Sequence, residues 1–213
     1  TIVPALESQM ESSHPKIANT DYPVLPAIAQ RWSPYAYDPR PVEREKLLSC
    51  LEATRWAPSS YNEQPWTFLL AERTDTAAFE TMLKCLVEGN QAWAKNAGVL
   101  LISIVAKTFV KNGKPNRAAQ HDIGLAAANM VLQATDLGLQ GHQMIGIEPA
   151  KIRATYKIPD THEPLTAIAI GYPAAVPPGT TDSVAQRDLN RRQRKPLSEI
   201  FLAGGWGQPA KLS

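Results

Sequence analysis

The chain has 213 residues, 44% of them hydrophobic and 20% charged, with a formal net charge of +2. That balance is enough to bury one core and excludes disorder throughout, while so small a charge excludes a global attraction to nucleic acid or to an anionic membrane. No run approaches the ~18 apolar residues of a membrane helix, and the first residues lack the basic start and apolar stretch of a secretory signal.

A cytoplasmic protein with neither a nucleic-acid nor a membrane partner is therefore expected. Cys50 and Cys85 stand far apart without CxxC spacing, so they read as two reduced, buried thiols; no metal site is expected.

Residues 1–24 mix proline, serine and charge without sustained periodicity. They read as an N-terminal arm of the kind that can pack on a partner subunit, and residues 25–213 read as one domain. From Pro41 the pattern predicts a helix: proline suits the first turn, Leu47, Leu48 and Leu51 share one side, and Pro58 bounds its end.

Residues 66–70 (WTFLL), 99–105 (VLLISIV) and 167–170 (AIAI) are short and apolar enough for buried strands. Between the last two, Ile123, Ala126, Ala127, Met130, Val131, Ala134 and Leu137 follow the three-four spacing of a long apolar helix, and Gly138 stands where a helix terminator belongs. Such a helix suits core packing, and its small-residue face also suits a subunit interface. Residues 173–186 are proline-rich and polar, a surface connection that delivers the basic residues 187–195 to the body. Strands separated by helices, with no internal repeat, make this an α+β chain.

Four clusters carry chemistry. In residues 31–37 (RWSPYAY), Arg31 and Ser33 can offer a guanidinium fork and a hydroxyl to a phosphate, although an arginine beside a turn is ordinarily just solvated. In residues 57–66 (APSSYNEQPW), Ser59, Ser60 and Asn62 can present hydroxyl, amide and backbone groups to a flat heterocycle. Asn90 precedes a strand and can pair with a ring edge or merely turn the chain. In residues 191–200 (RRQRKPLSEI), Arg192 and Arg194 are close enough to grip one dianion together; without aromatics, this is a poor nucleic-acid patch.

Other catalytic signatures are missing. No GxGxxG follows a strand and no GxSxG occurs. His121 and His142 read as making local hydrogen bonds near helix ends rather than as acid–base groups.

Taken in this order, and with HDIGLAAANMVLQATDLGLQGHQMIGI at 121–147 and IAIGYP at 168–173, these clusters resemble the nitroreductase family of FMN-dependent, NAD(P)H-linked oxidoreductases, from about Leu25 to the C-terminus. The resemblance implies an α+β nitroreductase-like fold with a central mixed sheet flanked by helices. It also implies an intertwined homodimer whose interface builds two FMN sites.

Carried over by position, Arg31 and Ser33 match phosphate and ribityl contacts, with Trp32 and Tyr35 in the same cofactor-binding cluster. Pro58, Ser59, Ser60 and Asn62 match a loop that reaches the flavin of the other subunit. Asn90 matches an amide at the pyrimidine edge, Ile145 and Gly146 a segment against the flavin N5 region, and Arg192 and Arg194 a C-terminal basic pair.

The implied activity passes electrons from NADH or NADPH through FMN to a nitroaromatic, quinone or related small-molecule acceptor by a ping-pong scheme in one open pocket. The flavin carries the hydride, so no catalytic side chain is expected. A flavin-dependent dehalogenase or oxidase of the same fold, or a non-catalytic flavin-binding protein, are the alternatives, because residues 108–117, the expected substrate side, hold no diagnostic chemistry.

Three positions depart from the family pattern. Tyr35 and Trp93 stand where relatives often carry a cation, and Ile145 where some carry a glutamate. The flavin is then expected to be harder to reduce unless another group restores the charge, and the pocket to favour apolar or aromatic acceptors.

Overall fold

The computed structural model describes residues 14–176 and 179–212; most of the N-terminal arm and part of the proline-rich connection lie outside the described residues. The short helix α1 (Pro26–Gln30) and strand β1 (Tyr37–Asp38) lead into α2 (Arg44–Arg55). This helix starts later than Pro41 suggests. Val42 packs so closely on Gly98 that an added Cβ there would lie 2.7 Å from its Cγ2, and the chain stays extended through the N-cap, Glu43.

After β2 (Trp66–Glu72) come α3 (Thr76–Leu83) and α4 (Glu88–Ala94). The Asp75 carboxylate caps α3 by accepting the Ala78 N–H at 3.0 Å. Then follow β3 (Val99–Ala106), α5 (Ala119–Asp136), β4 (Gln140–Met144), α6 (Pro149–Tyr156), β5 (His162–Pro173) and, past the connection, α7 (Leu197–Ile200). Gly138, at φ +78°, ends the long apolar helix where expected.

The sheet runs β1-β5-β3-β2, with β4 also paired to β5. Its α+β class matches the expectation, but the expected mixture of strand directions does not occur: every pairing among the described residues is antiparallel. The path of the chain explains this. Helices α3 and α4 leave and re-enter at one end of the sheet, with Glu72 opposite Val99, so β3 must run back against β2. In the same way the end of β3, Ala106, faces the start of β5, His162.

β3 is buried on both faces, which is why it reads as one apolar run. Leu100, Ile102 and Ile104 pack with Met82, Trp93 and Ile152, so α3, α4 and α6 cover one face. Val99 and Leu101 pack with Leu47, Cys50, Met130 and Val131, so α2 and α5 cover the other. Cys50 and Cys85 are both free and buried, as expected.

Strand β4, QGHQM, has no apolar alternation and is not predicted from its pattern. Its place is fixed at long range: Gln140 accepts the Trp32 N–H at 3.0 Å and donates to the Gln30 carbonyl at 3.2 Å. Gly141 lies against Val131, where a Cβ would meet Cγ1 at 2.6 Å. Among the described residues, no helix is long and apolar enough to cross a membrane, and no group of three His, Cys, Asp or Glu side chains gathers to hold a metal.

Candidate functional site

Arg31, just past α1, and Arg192 and Arg194, beyond β5, converge. Arg31 Nη1 donates to Ser33 Oγ at 3.4 Å. Arg192 Nη2 donates to the carbonyls of Lys16 and Ala29 at 2.7 and 3.0 Å, while its buried Nε has no partner among the described residues. Burial, then the Arg194 charge, lowers the Arg31 pKa. Burial, then Arg31 and Arg194, pushes Arg192 down to about 10.

None of these three guanidiniums pairs with a carboxylate among the described residues. Neighbouring guanidiniums, partly buried and without a counter-charge, have the electrostatics of a dianion site.

Two residues that the sequence reading missed hold this cluster. Asp188 is buried, and its carboxylate accepts the N–H groups of Tyr35 and Ala36. Burial raises its pKa, against the two backbone hydrogen bonds and the Lys16 charge. Lys16 Nζ donates to the carbonyls of Arg187 and Asn190 at 2.8 and 2.6 Å. Burial lowers its pKa, with Asp188 opposing that shift and Arg192 adding to it.

The described end of the arm is thus clamped to the C-terminal segment. Neither Lys16 nor Asp188 sits in a local motif; only long-range partners reveal them. Trp32 is a packing residue in this arrangement: it is buried, with Lys16 Nζ 5.4 Å from its ring centroid.

Beside the cluster stands an aromatic wall. Trp93 stacks on His142 at 4.4 Å, and the Tyr35 ring meets both edge-on, at 5.3 and 4.8 Å. Trp93 also stacks on Tyr37 and is only 5% exposed, so its ring belongs to the core. His142 lies within β4 rather than near a helix end. Its Nδ1 is 2.8 Å from the Pro34 carbonyl, which can only accept, so Nδ1 carries the proton. Burial, ahead of the Arg31 charge, lowers its pKa, against the raising effect of the Pro34 hydrogen bond.

A cation does reach Tyr35. Arg187 Nη1 donates to its hydroxyl at 3.2 Å, and the guanidinium lies 5.2 Å from the ring centroid.

The Gly146 carbonyl accepts from Asn90 Nδ2 at 3.0 Å and from the Val87 N–H at 3.1 Å. Glycine suits this close approach, since a Cβ would lie 2.4 Å from Asn90 Nδ2 and that side chain would have to shift. This fixed segment presents Ile145, 86% exposed, to the outside.

The second predicted cluster, Pro58 with Ser59, Ser60 and Asn62, forms a separate loop; no hydrogen bond among the described residues joins it to the arginines. Ser59 Oγ accepts the Gln64 N–H at 3.0 Å, and the Ser60 N–H donates to the buried Asp122 at 2.9 Å. Asp122 also holds His121 Nδ1 at 3.0 Å, the local bond expected of that histidine. Tyr61, Asn62 and Gln64 all sit at φ of 50 to 55°, a conformation that non-glycine residues adopt only when held there.

The model of the nitroreductase family matches residues 28–172. A protein of Methanothermobacter thermautotrophicus that carries the name NADH dehydrogenase/NAD(P)H nitroreductase is 32% identical over 174 residues, covering 78% of this chain and 84% of its own. A solved oxidoreductase containing FMN is 35% identical, covering 93% of this chain and all of its own, with a TM-score of 0.83. A solved FMN-dependent nitroreductase of Clostridium difficile is 28% identical over 72% of this chain and 90% of its own, with a TM-score of 0.59. With the shared fold and this coverage, the chain belongs to the nitroreductase family of oxidoreductases.

Proposed function

We propose that this protein is an FMN-dependent oxidoreductase that draws electrons from NADH or NADPH and delivers them to nitroaromatic, quinone or related acceptors, which use one pocket in turn. The observation that carries the reading is the gathering of Arg31, Arg192 and Arg194 with no carboxylate among them and with Arg192 Nε left without a partner. A phosphate monoester supplies both the charge and the acceptor oxygens that such a cluster fits. The two FMN proteins described above support the same choice.

Each residue then has a stated task. The three arginines and Ser33 hold the phosphate. Asn90 and Gly146 form a rigid edge for the ring, and exposed Ile145 gives it an apolar surface. Arg187, on Tyr35, restores positive charge on a side of the site where the chain lacks a lysine. Bound FMN would supply the two-electron redox chemistry that links a nicotinamide to an acceptor.

The working unit in this proposal is a homodimer. Leu25, Ile28 and Leu48 are exposed around α1 and α2, beside a groove whose lining is half apolar, Ala27, Ala53 and Leu132, and half polar, Asn129, Gln133 and Asp136. Phe201, Leu202 and Trp206 are exposed on the C-terminal segment. A second copy would cover this apolar surface, and the loop carrying Ser59, Ser60 and Asn62 would reach the partner's flavin.

Purification followed by mass identification of bound flavin, sedimentation, and anaerobic titration with each nicotinamide tests the reading. A yellow dimer bleached by NADH or NADPH is expected. A colourless monomer that takes up no FMN overturns it.

A further inference from the structure

The hairpin after β3 carries Lys107, Lys111, Lys114 and Arg117, all exposed, and no ion pair among the described residues engages any of them. Its shape is fixed by its backbone. The Phe109 N–H donates to the Lys114 carbonyl and the Gly113 N–H to the Phe109 carbonyl, both at 2.9 Å, and the Asn116 N–H donates to the Lys107 carbonyl at 2.8 Å. Gly113 turns the tip at φ +68°.

The Val110 N–H donates to Glu63 Oε1 at 2.5 Å, tying the hairpin to the loop that carries Ser59, Ser60 and Asn62. Between them lies a groove of about 580 Å³.

Its walls are of two kinds. Tyr61 and Phe109 meet at 80° with ring centroids 6.1 Å apart, forming a right-angled aromatic corner. Tyr61 is 91% exposed although its backbone is held at φ 55°, so the strained turn presents an open aromatic residue. Lys111 and Lys114 line the rest, and the one lining carboxylate, Glu63, already accepts from Val110. An aromatic corner beside two unpaired ammonium groups suits a flat heteroaromatic base joined to phosphates.

We propose that this groove binds the adenosine phosphate end of the reduced nicotinamide donor. The inference rests on the function proposed above and deepens it. The base stacks in the corner made by Tyr61 and Phe109, and Lys111 and Lys114 take the phosphates. Extra negative charge on the ribose then adds affinity, so NADPH is preferred over NADH. The Ser59–Asn62 loop, whose polar side chains are assigned above to the partner's flavin, would then set Tyr61 beside that subunit's pocket.

Calorimetric titration of the FMN-loaded protein with ADP-ribose and with 2′-phospho-ADP-ribose, fragments without a nicotinamide, tests this directly. The phosphorylated fragment should bind about fivefold tighter at low salt. Phe109→Ala should weaken both fragments by about tenfold, and Lys111→Gln with Lys114→Gln should erase the preference between them. If neither fragment binds, or both bind the variants as they bind the parent, the groove has no such role. Failure of both NADH and NADPH to reduce the bound flavin would instead defeat the underlying function, a result that the fragment titrations do not depend on.

Discussion

The Asp188 carboxylate accepts the backbone N–H of Tyr35 with both oxygens, at 3.1 and 2.9 Å, joining positions 153 residues apart. One oxygen also takes the Ala36 N–H at 2.8 Å. Since Arg187 lies next to Asp188 and Arg192 four residues on, this clasp fixes where both guanidiniums stand relative to Arg31. Asp188→Ala leaves two N–H groups without an acceptor and should lower unfolding free energy by about 3 kcal/mol. Asp188→Asn keeps one oxygen and should lose about half of that. Urea midpoints at unchanged slope measure both; unchanged midpoints would show that the clasp contributes nothing.

Arg192 makes a more specific prediction because its work is divided: Nη2 is committed to the Lys16 and Ala29 carbonyls and Nε is not. A lysine has one nitrogen for all these partners. Arg192→Lys should therefore weaken FMN binding to the apoprotein by about 30-fold, the loss of a charge-assisted hydrogen bond of about 2 kcal/mol. Riboflavin, which has no phosphate, should bind parent and variant alike. Quenching of flavin fluorescence reports both affinities, and an equal loss for the two ligands would take the phosphate away from Arg192.

The legible parts of this fold are those whose signals are local. β3 shows as a run of seven apolar and small residues because both its faces are buried, and α5 shows through its three-four spacing and Gly138. β4 does not show, since Gln140 and His142 are satisfied by Trp32, Gln30 and Pro34 from far along the chain. The candidate site divides in the same way. Arg31 reads alone as a solvated cation and Arg192 with Arg194 as a grip for one dianion, and only the resemblance suggested that all three meet. What brings them together, Lys16 and Asp188, acts through backbone carbonyls and N–H groups that no motif records. Tyr35 and Trp93 read as lost cations, whereas Trp93 is a core ring and Arg187 comes to Tyr35 from the other end of the chain.

His142 should titrate below the ordinary 6.5, because burial is the largest influence on it and the Arg31 charge acts in the same direction. A histidine depressed in the folded state contributes stability that is complete above its unfolded pKa and is lost as pH falls through the folded value. Acid sensitivity should thus set in below pH 6.5 and be reduced in His142→Gln. Arg31→Gln, which removes one lowering charge, should raise the His142 titration point in NMR spectra. A midpoint at or above 6.5 in the parent protein would show that the Pro34 hydrogen bond outweighs burial and would overturn the prediction.

Gly146 and Asn90 should prove coupled in a way that ordinary packing partners are not. Gly146→Ala places a methyl group 2.4 Å from Asn90 Nδ2 and 2.8 Å from Val87 Cγ2, an overpacking that should destabilise by about 2 kcal/mol. Asn90→Ala removes the 3.0 Å bond to the Gly146 carbonyl, which keeps the Val87 N–H, so about 1 kcal/mol should be lost. In the double variant the Asn90 amide is gone and the sharper of the two clashes with it, while the contact with Val87 persists. The combined loss should therefore fall short of the sum by roughly 1 kcal/mol, a coupling that a double-mutant cycle resolves. Strict additivity would mean that Val87, not Asn90, excludes a side chain from position 146, and that Asn90 turns away easily enough to have no part in holding the segment that presents Ile145.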